Sequence, residues 1–193
     1  RTNPESSRQD AQKALELLAS APNADLEIRA RLLLCDFYAE RDKAAAEEEI
    51  ARAIALLPQA SRAGLRAGVL TCQGDLHETS GDNDQASTLY DRAVTVATEA
   101  NDDEMLAGAL FARGYLLGVQ GEFSAGLADL RRSQALYEKL GMSQHSVTAL
   151  NAIAILYNRM GDYAQAVHIY TRALRAQREA GLRREVGVTL YNL

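Results

Sequence analysis

Apolar residues recur every three or four positions along most of the chain, as in Leu150, Ile153 and Tyr157, and again in Ala166, Ile169, Tyr170 and Ala173. That spacing gathers them on one face of a helix, and no sustained two-residue alternation marks a strand. The pattern is itself periodic. Gly81, Gly121 and Gly161 stand forty residues apart, and each opens a similar phrase: GDNDQASTLYDRAV, GEFSAGLADLRRSQ and GDYAQAVHIYTRAL. Five residues after each glycine is a small residue (Ala86, Gly126, Ala166), nine after it a bulky one (Tyr90, Leu130, Tyr170), and twelve after it another small one (Ala93, Ser133, Ala173). Seven before it stand Gly74, Gly114 and Ala154. One period earlier, Ala46, Ile50 and Ala53 keep the register while Arg41 takes the place of the glycine. Near the other end Leu190 matches Leu150, Leu110 and Leu70. A fixed period of this length signals stacked supersecondary units, as in a solenoid.

The phrases predict helical hairpins. Each turn glycine closes a first helix, because a left-handed C-terminal residue costs glycine little. Asp82 and Asp162 follow and are placed to cap the second helix. Gly141 and Gly181 end second helices, with Asn101 in the matching earlier slot. Gly74 and Gly114 lie mid-helix, where glycine costs about 1 kcal/mol relative to alanine. Close approach of the paired helix is the expected compensation. The bulky residues nine past each glycine are expected to reach across to the next hairpin.

These residues resemble the tetratricopeptide repeat family from about Leu26 to Leu193, best in the stretch LNAIAILYNRMGDYAQAVHIYTRAL. The period exceeds the family's usual length of about 34 residues. It is similar to the longer-helix variants of kinesin light chains, mitotic-spindle adaptors and bacterial regulators and sensors. The resemblance implies an all-α fold, a right-handed α-solenoid of TPR-like helical hairpins. The hairpins are expected at about 26–58, 60–100, 103–140 and 143–180, with a partial repeat at 183–193. Together they are read as a single solenoid over 1–193, a fragment of a longer protein. Gly126 for alanine, Asn83 for the aromatic after the turn, and Arg113 and Gln73 at normally apolar positions depart from the family pattern. They are expected to weaken the middle repeats.

Composition narrows the function. Apolar residues make up 47% of the chain, enough for a core shared between neighbouring hairpins. A net charge of −5 argues against a nucleic-acid footprint. The charge is uneven, with EANDDE at 99–104 and a last repeat carrying Arg159, Arg172, Arg175, Arg178, Arg183 and Arg184. Such runs are read first as solvated helix faces and second as a steering patch. Three lysines against many arginines, with abundant alanine, point to a GC-rich bacterial genome. No run of eighteen apolar residues predicts a membrane-spanning helix in this segment.

No catalytic constellation emerges. Cys35 and Cys72 fall on first helices of different hairpins and are read as free, helix-packed thiols, with a bridge as the alternative. Without paired CxxC motifs they do not form a cysteine zinc site. His77, His145 and His168 lack metal-ligand spacing, and His77 is expected to be partly buried and structural. Asp82–Gln85 begins like a calcium loop but lacks its central glycine and terminal glutamate. The expectation is no catalytic residue, no metal and no cofactor.

The resemblance instead directs attention to the first helices, which line the concave surface in the family. The register places Arg31, Cys35 and Tyr38 there, then Thr71, Asp75 and Glu78, then Phe111 and Tyr115. Asn151, Asn158 and Arg159 follow, and then Tyr191 and Asn192. Aromatics and amides in this mixture suit an extended peptide or a partner helix. The Lys/Asn clamp with which chaperone-binding members grip a terminal carboxylate is missing. The reading is a protein- or peptide-binding scaffold, the sensory segment of a larger bacterial signalling protein such as a membrane-anchored diguanylate cyclase, placed in the periplasm. The alternatives are a cytoplasmic peptide-responsive regulator and a purely structural assembly scaffold. A homodimer through an exposed solenoid end at Leu190, Tyr191 and Leu193 is also expected.

Overall fold

Gly81 has a φ of 80°, which lets the Asp82 amide donate back to the His77 carbonyl at 2.9 Å and so close the helix. Gly121 and Gly161 close theirs in the same way, and Asn101, with a φ of 51°, supplies the equivalent turn at the end of a second helix. The computed structural model describes residues 4–179 together with Gly181 and Thr189. Its helices are α1 (Pro4–Leu18), α2 (Ala24–Tyr38), α3 (Lys43–Leu56), α4 (Leu65–Thr79), α5 (Asn83–Glu99), α6 (Asp103–Gln120), α7 (Phe123–Lys139), α8 (Ser143–Arg159) and α9 (Tyr163–Glu179). A 3-10 turn, Leu57–Gln59, prolongs α3. Among the described residues there is no strand, and the fold is all-α as the periodicity requires. Asp82 and Asp162 cap α5 and α9 through the amides of Gln85 and Gln165, at 3.3 and 3.1 Å.

Two features depart from the expected register. Arg41 is not left-handed, and the Asp42 amide reaches only to the Tyr38 carbonyl, at 2.8 Å. Helix α1 lies ahead of the assigned repeats and is docked on α2 by Ala11, buried among Ala30 and Leu34. The partial repeat at 183–193 lies outside the described residues, apart from Thr189.

The chain divides into two compact units, residues 2–109 and residues 110–193. The first has a core of Ile28, Cys35, Ala46, Ile50, Ala53, Leu65, Val69, Cys72 and Leu76. Here the reading of free thiols is overturned: Cys35 and Cys72 are bonded to each other, with their Cα atoms 6.5 Å apart. The two lie on first helices that pack side by side in this core, so residues 37 apart, about one turn short of the repeat, meet.

Tyr90 also corrects an expectation. Its ring covers Gly74 on α4, the partner helix of its own hairpin, where a Cβ would lie 2.3 Å from Cε1. Its hydroxyl ends between Asp75 and Glu78, 2.8 Å from each. The glycine gives up helix propensity so that an aromatic ring can pass beneath α4.

Part of the acidic run at 99–104 is not a solvated face. Asp102 is 8% exposed. It caps α6 through the Met105 amide at 3.1 Å and takes Arg62 Nε and Nη2 at 2.6 Å each. Arg62 also reaches Glu104 at 2.9 Å, and Arg29 meets the same carboxylate at 2.9 Å. Burial pushes the Asp102 carboxyl up, but the hydrogen bonds from Arg62 and the α6 amides, with the Arg62 charge, hold it below the usual carboxylate range. A folded pKa below the unfolded one gives stability that is complete above about pH 4 and is lost as pH falls through the folded value. Urea melts of this unit should therefore show a lower midpoint at pH 3 than at pH 6. Asp102→Asn should flatten that dependence; an unchanged slope would assign the acid sensitivity to other carboxylates.

The second unit is built on Leu127, Leu130, Leu150, Ala152, Ile153, Ala154, Leu156, Ala166, Ile169, Tyr170 and Ala173. Its tightest point is the crossing of α6 and α7. A Cβ on Gly126 would lie 2.7 Å from the Gly114 carbonyl oxygen, and one on Gly114 would lie 2.9 Å from the Gly126 oxygen. Gly126 therefore reads differently in three dimensions: it is what lets two backbones touch. Arg113 is explained as well. Its guanidinium forks onto Asp129 of α7 at 2.6 and 3.0 Å, an ion pair within the hairpin where the family pattern has an apolar side chain.

Candidate functional site

The first helices carry the candidate residues, and the two units treat them differently. In residues 2–109 most are already engaged. Arg31 is half-buried between α2 and α3, held by Glu27 of its own helix and by Glu49 at 2.9 Å. Thr71 donates to the Ala67 carbonyl at 3.0 Å, an internal helix bond. Tyr38 packs edge-on against Phe37, with centroids 5.1 Å apart, and sits partly in the core. Cys35, placed by the register on the open face, is instead fully buried and bonded to Cys72, because α2 is rotated to seat that side against α4.

Asp75 and Glu78 flank the Tyr90 hydroxyl. One phenolic proton serves one carboxylate at a time, so the hydroxyl is shared between the two. Burial, followed by the charges of Asp75 and Glu78, pushes the Tyr90 phenol far above its ordinary range, so it stays a neutral donor.

In residues 110–179 two of the candidates touch. Phe111 and Tyr115, one turn apart on α6, stack with centroids 6.5 Å apart and planes within 12°. Phe111 is anchored on the core, and Tyr115 is 39% exposed. Helix α8 carries Asn151, Asn158 and Arg159. Arg159 Nη2 donates to the Val119 carbonyl at 3.3 Å, which ties the ends of α6 and α8 together. Asn158 is exposed. Asn151 is half-buried and accepts from the Thr189 hydroxyl at 3.1 Å, and Thr189 accepts from Gln177 at 2.8 Å. Tyr191 and Asn192 lie outside the described residues.

One neighbour was missed from sequence. Tyr157 reads as a core position, yet its hydroxyl takes a hydrogen bond from Arg131 of α7, whose guanidinium lies 5.9 Å from the ring centroid. The aromatic in an otherwise leucine-like slot was the available signal. Among the described residues, no group of His, Cys, Asp or Glu is placed to hold a metal ion, and no helix is long and apolar enough to cross a membrane.

Residues 105–179, two consecutive hairpins with this geometry, match the family model described as Tetratricopeptide repeat. Residues 105–179 are thus tetratricopeptide repeats. No curated protein matches the sequence. Solved structures match the fold. BtubC (BKLC) from P. vanneervenii is 19% identical with a TM-score of 0.68, over 93% of this chain and 75% of that one. A Rap protein complexed with Competence and Sporulation Factor is 16% identical with a TM-score of 0.73, over 89% of this chain and 48% of that one. A signal-transduction ATPase of the STAND class with a tetratricopeptide repeat sensor, from Pyrococcus horikoshii, is 14% identical with a TM-score of 0.65, over 97% and 31%. At these identities the likeness is one of fold. The repeats span under half the length of the Rap and STAND chains.

Proposed function

We propose that the first-helix face of residues 110–179 binds an extended peptide or partner segment, and that the chain serves as a sensory or adaptor segment of a larger bacterial signalling protein. The observation that carries this reading is the stacked Phe111–Tyr115 pair on α6, a helix that Arg159 joins to α8, where the neighbouring Asn158 amide is exposed. Its half-open aromatic surface suits a peptide side chain, and the amide suits a peptide backbone. The Rap structure with its bound factor and the STAND repeat sensor support the same use of this fold. An output domain such as a diguanylate cyclase belongs to the same proposal. Binding would drive such a domain only if the ligand favoured one arrangement of the repeats over another.

The test is a selection. Extended peptides are enriched on the wild-type chain from a random displayed library, then measured against Tyr115→Ala/Asn158→Ala. Both side chains lie at the surface, so the double variant should melt as the wild type does, while enriched peptides bind it roughly tenfold more weakly. Equal binding to both proteins would move the site elsewhere.

A further inference from the structure

We propose that the Cys35–Cys72 bond makes residues 2–109 a redox-sensitive element, clasped when oxidised and loosened when a dithiol reduces it. The inference stands on position and burial. Cys35 lies on α2 and Cys72 on α4, first helices of successive hairpins, and the bond closes a loop of 37 residues that contains all of α3. Such a closure removes freedom from the unfolded chain, and more of it than a short loop would. Both sulfurs sit in the core with Ile28, Ile50, Leu65 and Val69, and the two residues are 0% and 5% exposed. An apolar setting disfavours the thiolate, so exchange requires α2 and α4 to part. The bond therefore forms as the hairpins assemble, and breaking it acts on their packing.

Selectivity follows from the sequence, because the chain's two cysteines both lie in residues 2–109. In a repeat protein each hairpin is stabilised chiefly by its immediate neighbours, so loss of the clasp should be felt locally. The clasp also sets the spacing between α2, which carries Arg31 and Tyr38, and α4, which carries Asp75 and Glu78. An oxidising compartment would hold the clasped state, and a thiol-reducing one the open state.

The chemistry balances as thiol–disulfide exchange. A thiolate of a small dithiol attacks one sulfur of the bond, Cys72 being the less buried, and Cys35 leaves as thiolate. The reagent's second thiol then attacks the mixed disulfide and frees Cys72. The reagent departs as a cyclic disulfide, two electrons have passed to the protein, and both cysteines take up protons. A small-molecule disulfide reverses the sequence.

The experiment uses the whole chain, purified in air without reductant. Alkylation in denaturant should add no mass before dithiothreitol and two adducts after it. Hydrogen exchange should then be compared between the oxidised protein and protein reduced in urea and refolded by dilution into dithiothreitol. Reduction should raise exchange across residues 24–79, leave residues 123–179 unchanged, and lower the melting temperature of the first unit by roughly 10 °C. Cys35→Ala/Cys72→Ala should behave as the reduced protein and ignore dithiothreitol. If that variant fails to fold, the oxidised-against-reduced comparison of the wild type decides alone. Two adducts before reduction, unchanged exchange in 24–79, or an equal rise in 123–179 would each overturn the proposal.

Discussion

Replacing Tyr90 with alanine is expected to destabilise the first unit by about 3–5 kcal/mol, the usual cost of truncating a buried aromatic. The ring is fully buried over Gly74, and the hydroxyl is the donor between Asp75 and Glu78. The sharper result lies in the coupling. Gly74→Ala alone should cost about 1–3 kcal/mol, since its Cβ would lie 2.3 Å from a ring that cannot withdraw. With the ring removed, the same substitution should stabilise by up to about 1 kcal/mol, because alanine favours the helix over glycine. Urea melts of the four proteins form a double-mutant cycle, and its sign change is the measurement. If Gly74→Ala cost the same in both backgrounds, the glycine would serve something other than the passage of the ring.

Gly126→Val should cost about 3 kcal/mol in the second unit. Its new side chain would meet the Gly114 carbonyl, a backbone atom held in its own helix, so relief requires α6 and α7 to separate. Gly126→Ala should cost less, since a gain in helix propensity of up to about 1 kcal/mol offsets part of the collision. Ala125→Val, next door and exposed, is the control and should change stability by well under 1 kcal/mol. Equal melts for Gly126→Val and the control would show that the two helices are free to move apart.

These contacts mark where sequence reading gained and lost its hold. The turns were legible because they obey local rules: a left-handed residue at Gly81 or Asn101, and an aspartate one step after Gly81 or Gly161. The buried small positions followed from the same register, as Ala86, Ala93, Ala154 and Ala173 show. Helix α1 escaped because it has no turn glycine and offers few apolar positions, with Ala11 making its closest docking. The Cys35–Cys72 bond escaped because it depends on how α2 is rotated against α4, which a period of forty does not encode.

The candidate face was harder for a similar reason. Its positions on α6 and α8 could be read off the period, but the occupation of each side chain could not. The register places both Arg31 and Tyr115 on the open face. Arg31 is absorbed by Glu49 from the partner helix, whereas Tyr115 remains at the surface. That difference rests on the length of an arginine and on one glutamate eighteen residues away. Gly126 shows the reverse error, where a residue that weakens an isolated helix strengthens a crossing.

The double duty of Asp102 has a consequence for how this chain can drift. Asparagine at that position would keep the cap on α6 but drop the charge that holds Arg62. Glutamate would keep the charge but place it too far out to cap. Neither neighbouring substitution is neutral while Arg62 stays. In diverging relatives, positions 62 and 102 should change together or not at all, while the exposed positions around them vary freely.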